Sequence, residues 1–161
     1  MAYLVDGNNL IGHRSPYPMK DPRSRYKIVN DLFLFQKIKK VKVILVFDGP
    51  PDEDLENKLS SYPGFNLRFP ELHQNADAII KEIISSWQNK RQFFVVSSDR
   101  EIKSFTRMHG LKIITCEDFN RQLKRMAKKH KKFQEMQKED SFLSPLEVKQ
   151  WQEVFDSKQN E

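Results

Sequence analysis

The sequence predicts an α/β fold in which helices wrap a parallel sheet of about five strands. Over the first two thirds of the 161 residues, short apolar runs alternate with helical patterns, which is typical of such sheets. Turn residues bound these elements, since Pro50 and Pro51 stop the second apolar run and Gly110 ends a helical pattern. A chain of this length is expected to form one compact domain.

Five apolar runs are predicted as strands and four segments as the helices between them. The strands are 3–5, 41–47, 65–69, 92–97 and 111–115. The helices are 24–38, 51–62, 75–87 and 99–108, and 13–25 is predicted as a proline-broken loop. A long basic helix is predicted from residue 117, and Ser144, Pro145 and Glu147 have the pattern that starts a short final helix.

The composition points to an anionic partner. Lys and Arg number 28 against 22 Asp and Glu, which gives a net charge of +6 and a pI near 9.4. No stretch has the pattern of a signal peptide or a membrane span, and the single cysteine, Cys116, rules out an internal disulfide. We therefore expect a cytoplasmic protein with no membrane partner and no disulfide-linked partner.

Four aspartates follow predicted strands. Asp6, Asp48 and Asp99 come just after the first, second and fourth strands, and Asp77 lies in the first turn of the helix after the third. Parallel strands joined by right-handed crossovers end at one edge of the sheet, so these carboxylates are expected to meet in one cleft. Like charges this close repel unless a cation lies between them, and an all-oxygen ligand set suits Mg²⁺ or Mn²⁺. Such ions support phosphodiester hydrolysis.

Each aspartate also has an ordinary structural explanation. Asp-Gly is a common turn pair, aspartate is a common helix N-cap, and Asn75 or Asp77 could serve only to cap its helix. The recurrence of aspartate at equivalent strand ends favours metal binding over four separate structural roles.

Four segments, taken in order, resemble the NYN branch of the PIN-like nucleases, and most closely the YacP-type proteins. They are YLVDGNNLIG, VILVFDGP, NADAIIKEII and VVSSDREIKSFTRMHGLKIITCEDF. The resemblance covers about residues 2–130. It implies a three-layer α/β/α PIN-like nuclease domain over 1–130, followed by a basic C-terminal helical extension over 131–161.

The resemblance also implies a function and its site. It implies an RNA-cleaving enzyme that uses Mg²⁺ or Mn²⁺, with messenger RNA as the expected substrate and the ribosome as a candidate partner. Matched one by one, the positions of the family's catalytic and metal-binding residues are Asp6, Asp48, Asp77 and Asp99, with Asn8 at the asparagine that follows the first acid. Gly49 departs from the alanine that often follows the second acid in YacP-type members.

Further polar residues are candidates for substrate binding. Asn8 and Ser98 could contact a phosphate, although both could equally belong to ordinary turns. Basic side chains of the 13–25 loop and of the long helix could neutralise RNA phosphates, although charge runs are often plain solvated faces. These basic candidates are Arg14, Arg23, Arg25, Lys124, Arg125 and Lys128.

Together these features predict a metal-dependent endoribonuclease whose products carry 5′-phosphate and 3′-hydroxyl ends. One alternative is a non-catalytic RNA- or ribosome-binding module with the same fold. Another is a phosphatase or nucleotidase that acts on small substrates, since related sheets carry similar acids.

Overall fold

The structure, a computed structural model, describes residues 1–14 and 21–141. The chain forms one compact unit over Met1–Met126 and a second over Ala127–Glu161, whose described part is helical. The predicted short helix after Ser144 lies outside the described residues. Across the described part of the chain, no helix combines the length and the apolar character that a membrane span needs.

Five strands and six helices are described, together with a 3₁₀ turn at Lys90–Gln92. The strands are β1 (Ala2–Asp6), β2 (Lys42–Val46), β3 (Phe65–Arg68), β4 (Phe93–Val96) and β5 (Lys112–Ile114). The helices are α1 (Gly7–Gly12), α2 (Pro22–Lys39), α3 (Glu53–Leu59), α4 (Ala76–Ser86), α5 (Arg100–Met108) and α6 (Cys116–Ser141).

The strands form one parallel sheet in the order β3-β2-β1-β4-β5. From β1 the chain builds outward through β2 to β3, then returns to the other side of β1 to form β4 and β5. The strand order therefore reverses at β1 and β4, where parallel sheets bind their ligands. The predicted α/β fold with a central parallel sheet is confirmed.

Alternate residues of β1 face two separate cores, which makes the domain three-layered. Tyr3 and Val5 are buried against one helical layer formed by α1, α2, α3 and the start of α6. Ala2 and Leu4 are buried against the opposite layer, formed by α4 and α5. A strand covered on both faces is apolar at successive positions, which is why the first strand reads as an unbroken apolar run.

The segment after β1 differs from the prediction. A six-residue helix, α1, follows β1 directly, and α2 already begins at Pro22. Asp21 caps α2, because its carboxylate accepts a 2.9 Å hydrogen bond from the Arg23 N–H, and proline is favoured in the first turn. The prediction that Arg23 and Arg25 belong to a loop is therefore wrong, since both lie in the first turns of α2.

Candidate active site

Asp6 occupies the junction between β1 and α1. Its side chain is 6% exposed, and it caps α1 by accepting the Asn9 N–H at 3.3 Å on Oδ1. Its Oδ2 accepts a 3.0 Å hydrogen bond from Oγ of Ser97, which is fully buried at the end of β4. Asp6 is thus fixed at the point where the strand order reverses.

Glycine is required next to this aspartate by a close approach of β2. A Cβ atom added at Gly7 would lie 2.5 Å from Cδ1 of Phe47 and 2.9 Å from the carbonyl oxygen of Val46. The Asp-Gly pair therefore lets α1 begin directly against the end of β2, which brings Asp6 close to the residues that follow β2.

Asp48 and Asp99 follow β2 and β4. Oδ1 of Asp48 accepts the Ala76 N–H at 3.3 Å, which ties the end of β2 to the start of α4. Oδ1 of Asp99 caps α5 by accepting the N–H groups of Glu101 and Ile102 at 2.9 and 3.0 Å. Each aspartate thus uses Oδ1 for an ordinary structural contact. Among the described residues, no group donates a hydrogen bond to Oδ2 of either aspartate.

Asp77 is not needed to cap its helix. Asn75 caps α4, since its Oδ1 accepts the Ala78 N–H at 2.9 Å. The Asp77 carboxylate is half-buried and accepts no hydrogen bond from any described residue. Both of its oxygens are therefore available to a ligand.

The four aspartates line one open cleft of about 360 Å³. The remaining described lining residues are Asn8, Asn9, Gly12, His13 and Ala76. Within the described ranges, none of the four carboxylates forms an ion pair with a lysine, arginine or histidine. No direct ion pair among the described residues therefore neutralises the negative charge of the cleft.

Burial and mutual repulsion raise the pKa values of two of these acids. Burial raises the pKa of Asp6 to about 6, and the charges of Asp77 and Asp99 add to this increase, while hydrogen bonds from Asn9 and Ser97 oppose it. The pKa of Asp77 is also raised, first by burial and then by the charge of Asp99. Lys81 partly opposes the shift at Asp77. Interacting carboxylates with raised pKa values in a cleft are typical of functional sites.

The donor chemistry of the cleft fits a hard divalent cation. Asp6, Asp48, Asp77 and Asp99 would supply carboxylate oxygens, which are preferred ligands of Mg²⁺ and Mn²⁺. As the side chains stand, no group of three Asp, Glu, His or Cys residues among those described forms a ready-made metal site. The fit therefore rests on the ligand type, the available oxygens and the unneutralised charge.

Of the two polar residues predicted to bind substrate, one lines the cleft. The Oδ1 atom of Asn8 accepts the Asp48 N–H at 3.0 Å, so Asn8 also fixes the loop after β2. Ser98 is not among the cleft-lining residues. Its Oγ donates to the carboxylate of Glu117 at 2.7 Å and accepts the Cys116 N–H at 2.9 Å. The neighbouring Ser97 is the serine that contacts Asp6.

The three predicted arginines have partners within the chain. Arg14 is paired with Asp31 and its side chain is only 9% exposed, so the structure does not bring it to the cleft. Arg23 pairs with the helix cap Asp21 at 2.8 Å. Arg25 lies near the cleft, where it donates a 2.8 Å hydrogen bond to the carbonyl oxygen of Asp48.

The contacts of Arg25 point to a supporting role. Its guanidinium carbon lies 5.1 Å from the ring centroid of Phe47 and 5.7 Å from that of Phe69, distances typical of cation–π contacts. Arg25 thus holds the loop that carries Asp48, in addition to any contact that it makes with a substrate.

The basic residues of α6 line a different groove. Lys124 and Arg125 border a groove of about 710 Å³, together with Ile114, Asp118, Arg121 and Gln122. Lys128 is exposed on the part of α6 that belongs to the second compact unit. The groove is larger than the acidic cleft but contains one acid among three basic residues, so it suits phosphate contacts rather than a cation.

The role of Asn9 and the partner of His13 are absent from the sequence-based prediction. Oδ1 of Asn9 accepts the Ser98 N–H at 2.7 Å and the Cys116 thiol at 3.1 Å, which joins α1 to the ends of β4 and β5. His13 lines the cleft and pairs with Glu117 at 2.9 Å. The second asparagine of DGNN was a visible signal for Asn9, whereas nothing local links His13 to a residue more than one hundred positions away.

Known proteins share this fold and this sequence pattern. The family model of the YacP-like NYN domain matches residues 3–158. A crystal structure of Rae1 (YacP) from Bacillus subtilis is 18% identical, with a TM-score of 0.69 over 99% of this chain and 92% of that one. The crystal structure of a point mutant of the same protein is also 18% identical, with a TM-score of 0.66 over 87% and 86%. No curated protein matches the sequence. The chain belongs to the YacP-like NYN domain family.

Proposed function

We propose that this protein is a metal-dependent endoribonuclease that hydrolyses phosphodiester bonds of RNA. The observation that carries the proposal is the meeting of four carboxylates, three from strand ends and one from the start of α4, in one open cleft, with no basic side chain of the described chain paired to them. Membership of a nuclease-like domain family supports it.

Each polar residue of the cleft has a specific role in this proposal. Asp6, Asp48, Asp77 and Asp99 hold one or two Mg²⁺ or Mn²⁺ ions. When bound, these ions would activate a water and stabilise the charge on the leaving oxygen. Asn8 is fixed through Oδ1, which leaves its amide N–H groups to donate to a phosphate oxygen. With water as the nucleophile, the products carry 5′-phosphate and 3′-hydroxyl ends.

The substrate of this proposal is messenger RNA, with the ribosome as a candidate partner and the cytoplasm as its location. The basic groove on α6 supports an RNA substrate, because cationic side chains bind the phosphates of the RNA backbone. Lys128, in the second compact unit, is proposed as a separate phosphate contact.

A cleavage assay tests the proposal. Purified protein is incubated with a labelled messenger RNA in Mg²⁺, in Mn²⁺ and in chelator, each with and without translating ribosomes. Asp6→Asn and Asp77→Asn should abolish cleavage without unfolding the protein. Asp54→Asn is the matched control, because Asp54 is an exposed aspartate in the first turn of α3, away from the cleft. It should cleave at the wild-type rate.

Each alternative function predicts a different result. Wild-type cleavage in chelator would contradict metal dependence, and equal cleavage by Asp77→Asn would contradict the site. RNA binding without cleavage under every condition would favour the non-catalytic module. Release of phosphate from nucleotides, with RNA left intact, would favour the phosphatase.

A further inference from the structure

A phosphate-bearing substrate needs hydrogen-bond donors in a cleft that is lined by carboxylates. Among the described residues that line this cleft, the side chains that can donate a hydrogen bond are those of Asn8, Asn9 and His13. The two asparagine amides are neutral, so His13 is the one member of this set that can also carry positive charge. His13 is therefore placed where an anionic substrate would need it.

The imidazole ring of His13 contacts a carboxylate that is itself held by hydrogen bonds. Its Nδ1 lies 2.9 Å from one carboxylate oxygen of Glu117. The other oxygen of Glu117 accepts a 2.7 Å hydrogen bond from Oγ of Ser98, whose Oγ in turn accepts the Cys116 N–H at 2.9 Å. The Ser98 N–H donates to Asn9 at 2.7 Å. The carboxylate beside the ring is thus positioned by the ends of β4 and β5.

The backbone of His13 is anchored as well. Its N–H donates to the carbonyl oxygen of Asn9 at 3.2 Å. Its carbonyl oxygen accepts a hydrogen bond from the Asn120 side chain at 3.3 Å. The side chain is nevertheless 37% exposed. The backbone of His13 is therefore fixed while its side chain stays partly accessible.

Only one ring nitrogen is left for a ligand. A carboxylate accepts but does not donate, so the contact with Glu117 places a proton on Nδ1 of His13. Nε2 makes no hydrogen bond within the part of the chain that the structure describes. A ring that contacts Glu117 through Nδ1 keeps Nε2 for a bound molecule.

Resting on the proposed function, we propose that His13 contacts a phosphate oxygen of bound RNA through Nε2, and that Glu117 and Ser98 are positioning residues for its ring. The contact requires a proton on Nε2 as well as on Nδ1, so that the ring bridges the Glu117 carboxylate and the phosphate. It supplies positive charge on the side of the cleft formed by the end of α1.

Two substitutions separate this role from a purely structural one. In His13→Gln the amide nitrogen takes the approximate place of Nε2, whereas in His13→Asn it takes that of Nδ1 and can keep the contact with Glu117. If Nε2 binds RNA, His13→Asn should raise KM about tenfold, the usual loss for one charge-assisted hydrogen bond, with a smaller change in kcat. His13→Gln should lose less. A KM that is normal in His13→Asn and raised in His13→Gln would overturn the proposal.

A double-mutant cycle tests the positioning role of Glu117. Glu117→Ala should raise KM in the wild-type background and change it little in the His13→Asn background, because the ring it orients is gone. Equal effects in both backgrounds would overturn the positioning role. His73→Asn is the control, since His73 is exposed, outside the cleft lining, and has a φ of 66° that asparagine tolerates.

A spectroscopic readout keeps this inference separate from catalysis. NMR signals of the histidine Cε1–H groups are followed while a short single-stranded RNA is added to Asp77→Asn in Mg²⁺, with binding monitored by fluorescence anisotropy. The signal that is absent in His13→Gln should move with RNA saturation, while those of His73 and His109 stay. RNA saturation without this movement would overturn the inference, as would a failure to bind RNA at all. If the His13 signal moves but the wild-type protein cleaves no RNA, the proposed function is contradicted while the contact between His13 and RNA is supported.

Discussion

Replacing Asp6 with asparagine is expected to stabilise the folded protein. Asn is as good a helix N-cap as Asp, and its Oδ1 can still accept the Asn9 N–H. Its amide can donate to Oγ of Ser97, which replaces the hydrogen bond that the Ser97 hydroxyl donates to Asp6. What disappears is a buried negative charge that faces Asp77 and Asp99.

The magnitude follows from the raised pKa of Asp6. Folding raises this pKa from 3.8 to about 6, and each pKa unit corresponds to about 1.4 kcal/mol of stability. The folded state keeps the proton that the unfolded state loses above pH 4, so the wild type loses stability as the pH rises from about 4 to about 6. The variant should therefore be more stable by about 1–3 kcal/mol at pH 7.5, and by close to nothing below pH 4.

Urea unfolding of wild type and Asp6→Asn, followed by circular dichroism in chelator at several pH values, measures this difference. Subtracting the unfolding free energies of the two proteins at each pH removes the contribution of every titrating group that they share. Asp54→Asn serves as the exposed control and should match the wild type throughout. An Asp6→Asn protein that is less stable than the wild type at pH 7.5, or a difference that does not vary with pH, would refute the reasoning.

Three further outcomes follow from the packing and charge of the domain. Gly7→Ala should lower the unfolding free energy by about 1–3 kcal/mol, because the new Cβ would meet Phe47 at 2.5 Å; wild-type urea stability would contradict this. Cys116 is fully buried, and burial raises the pKa of its thiol to about 12. Iodoacetamide at pH 8 should therefore label Cys116 slowly until urea unfolds the chain. Fast labelling of the native protein would contradict this prediction. Replacing Lys124 and Arg125 by alanine should reduce the slope of log affinity for single-stranded RNA against log salt concentration by about 1.4. An unchanged slope would show that the α6 groove does not contact the RNA.

The sheet and its four acids could be predicted from the sequence because both are local patterns. Strands buried on both faces read as unbroken apolar runs, and the aspartates stand just beyond the ends of those runs or in the first turn of the next helix. Parallel topology then brings Asp6 and Asp99 to one edge although they are far apart in the chain.

Other parts of the site depend on contacts that no local pattern reveals. The helix α1 has six residues, too few to show a helical period. Ser97 and Ser98 are the same residue type at neighbouring positions. Because side chains alternate at the end of β4, Ser97 contacts Asp6 and Ser98 contacts Glu117. Arg14 looked available for RNA, but its partner Asp31 lies seventeen positions along the chain.

The measurement that bears most directly on the central claim is anomalous diffraction from crystals of the protein soaked in Mn²⁺. We expect an anomalous peak in the acidic cleft, at about 2.0–2.4 Å from carboxylate oxygens that include those of Asp6 and Asp77. The peak should be lost in crystals of Asp77→Asn. A cleft without a peak at saturating Mn²⁺, or a peak that Asp77→Asn leaves unchanged, would contradict the claim that these carboxylates converge to hold a metal ion.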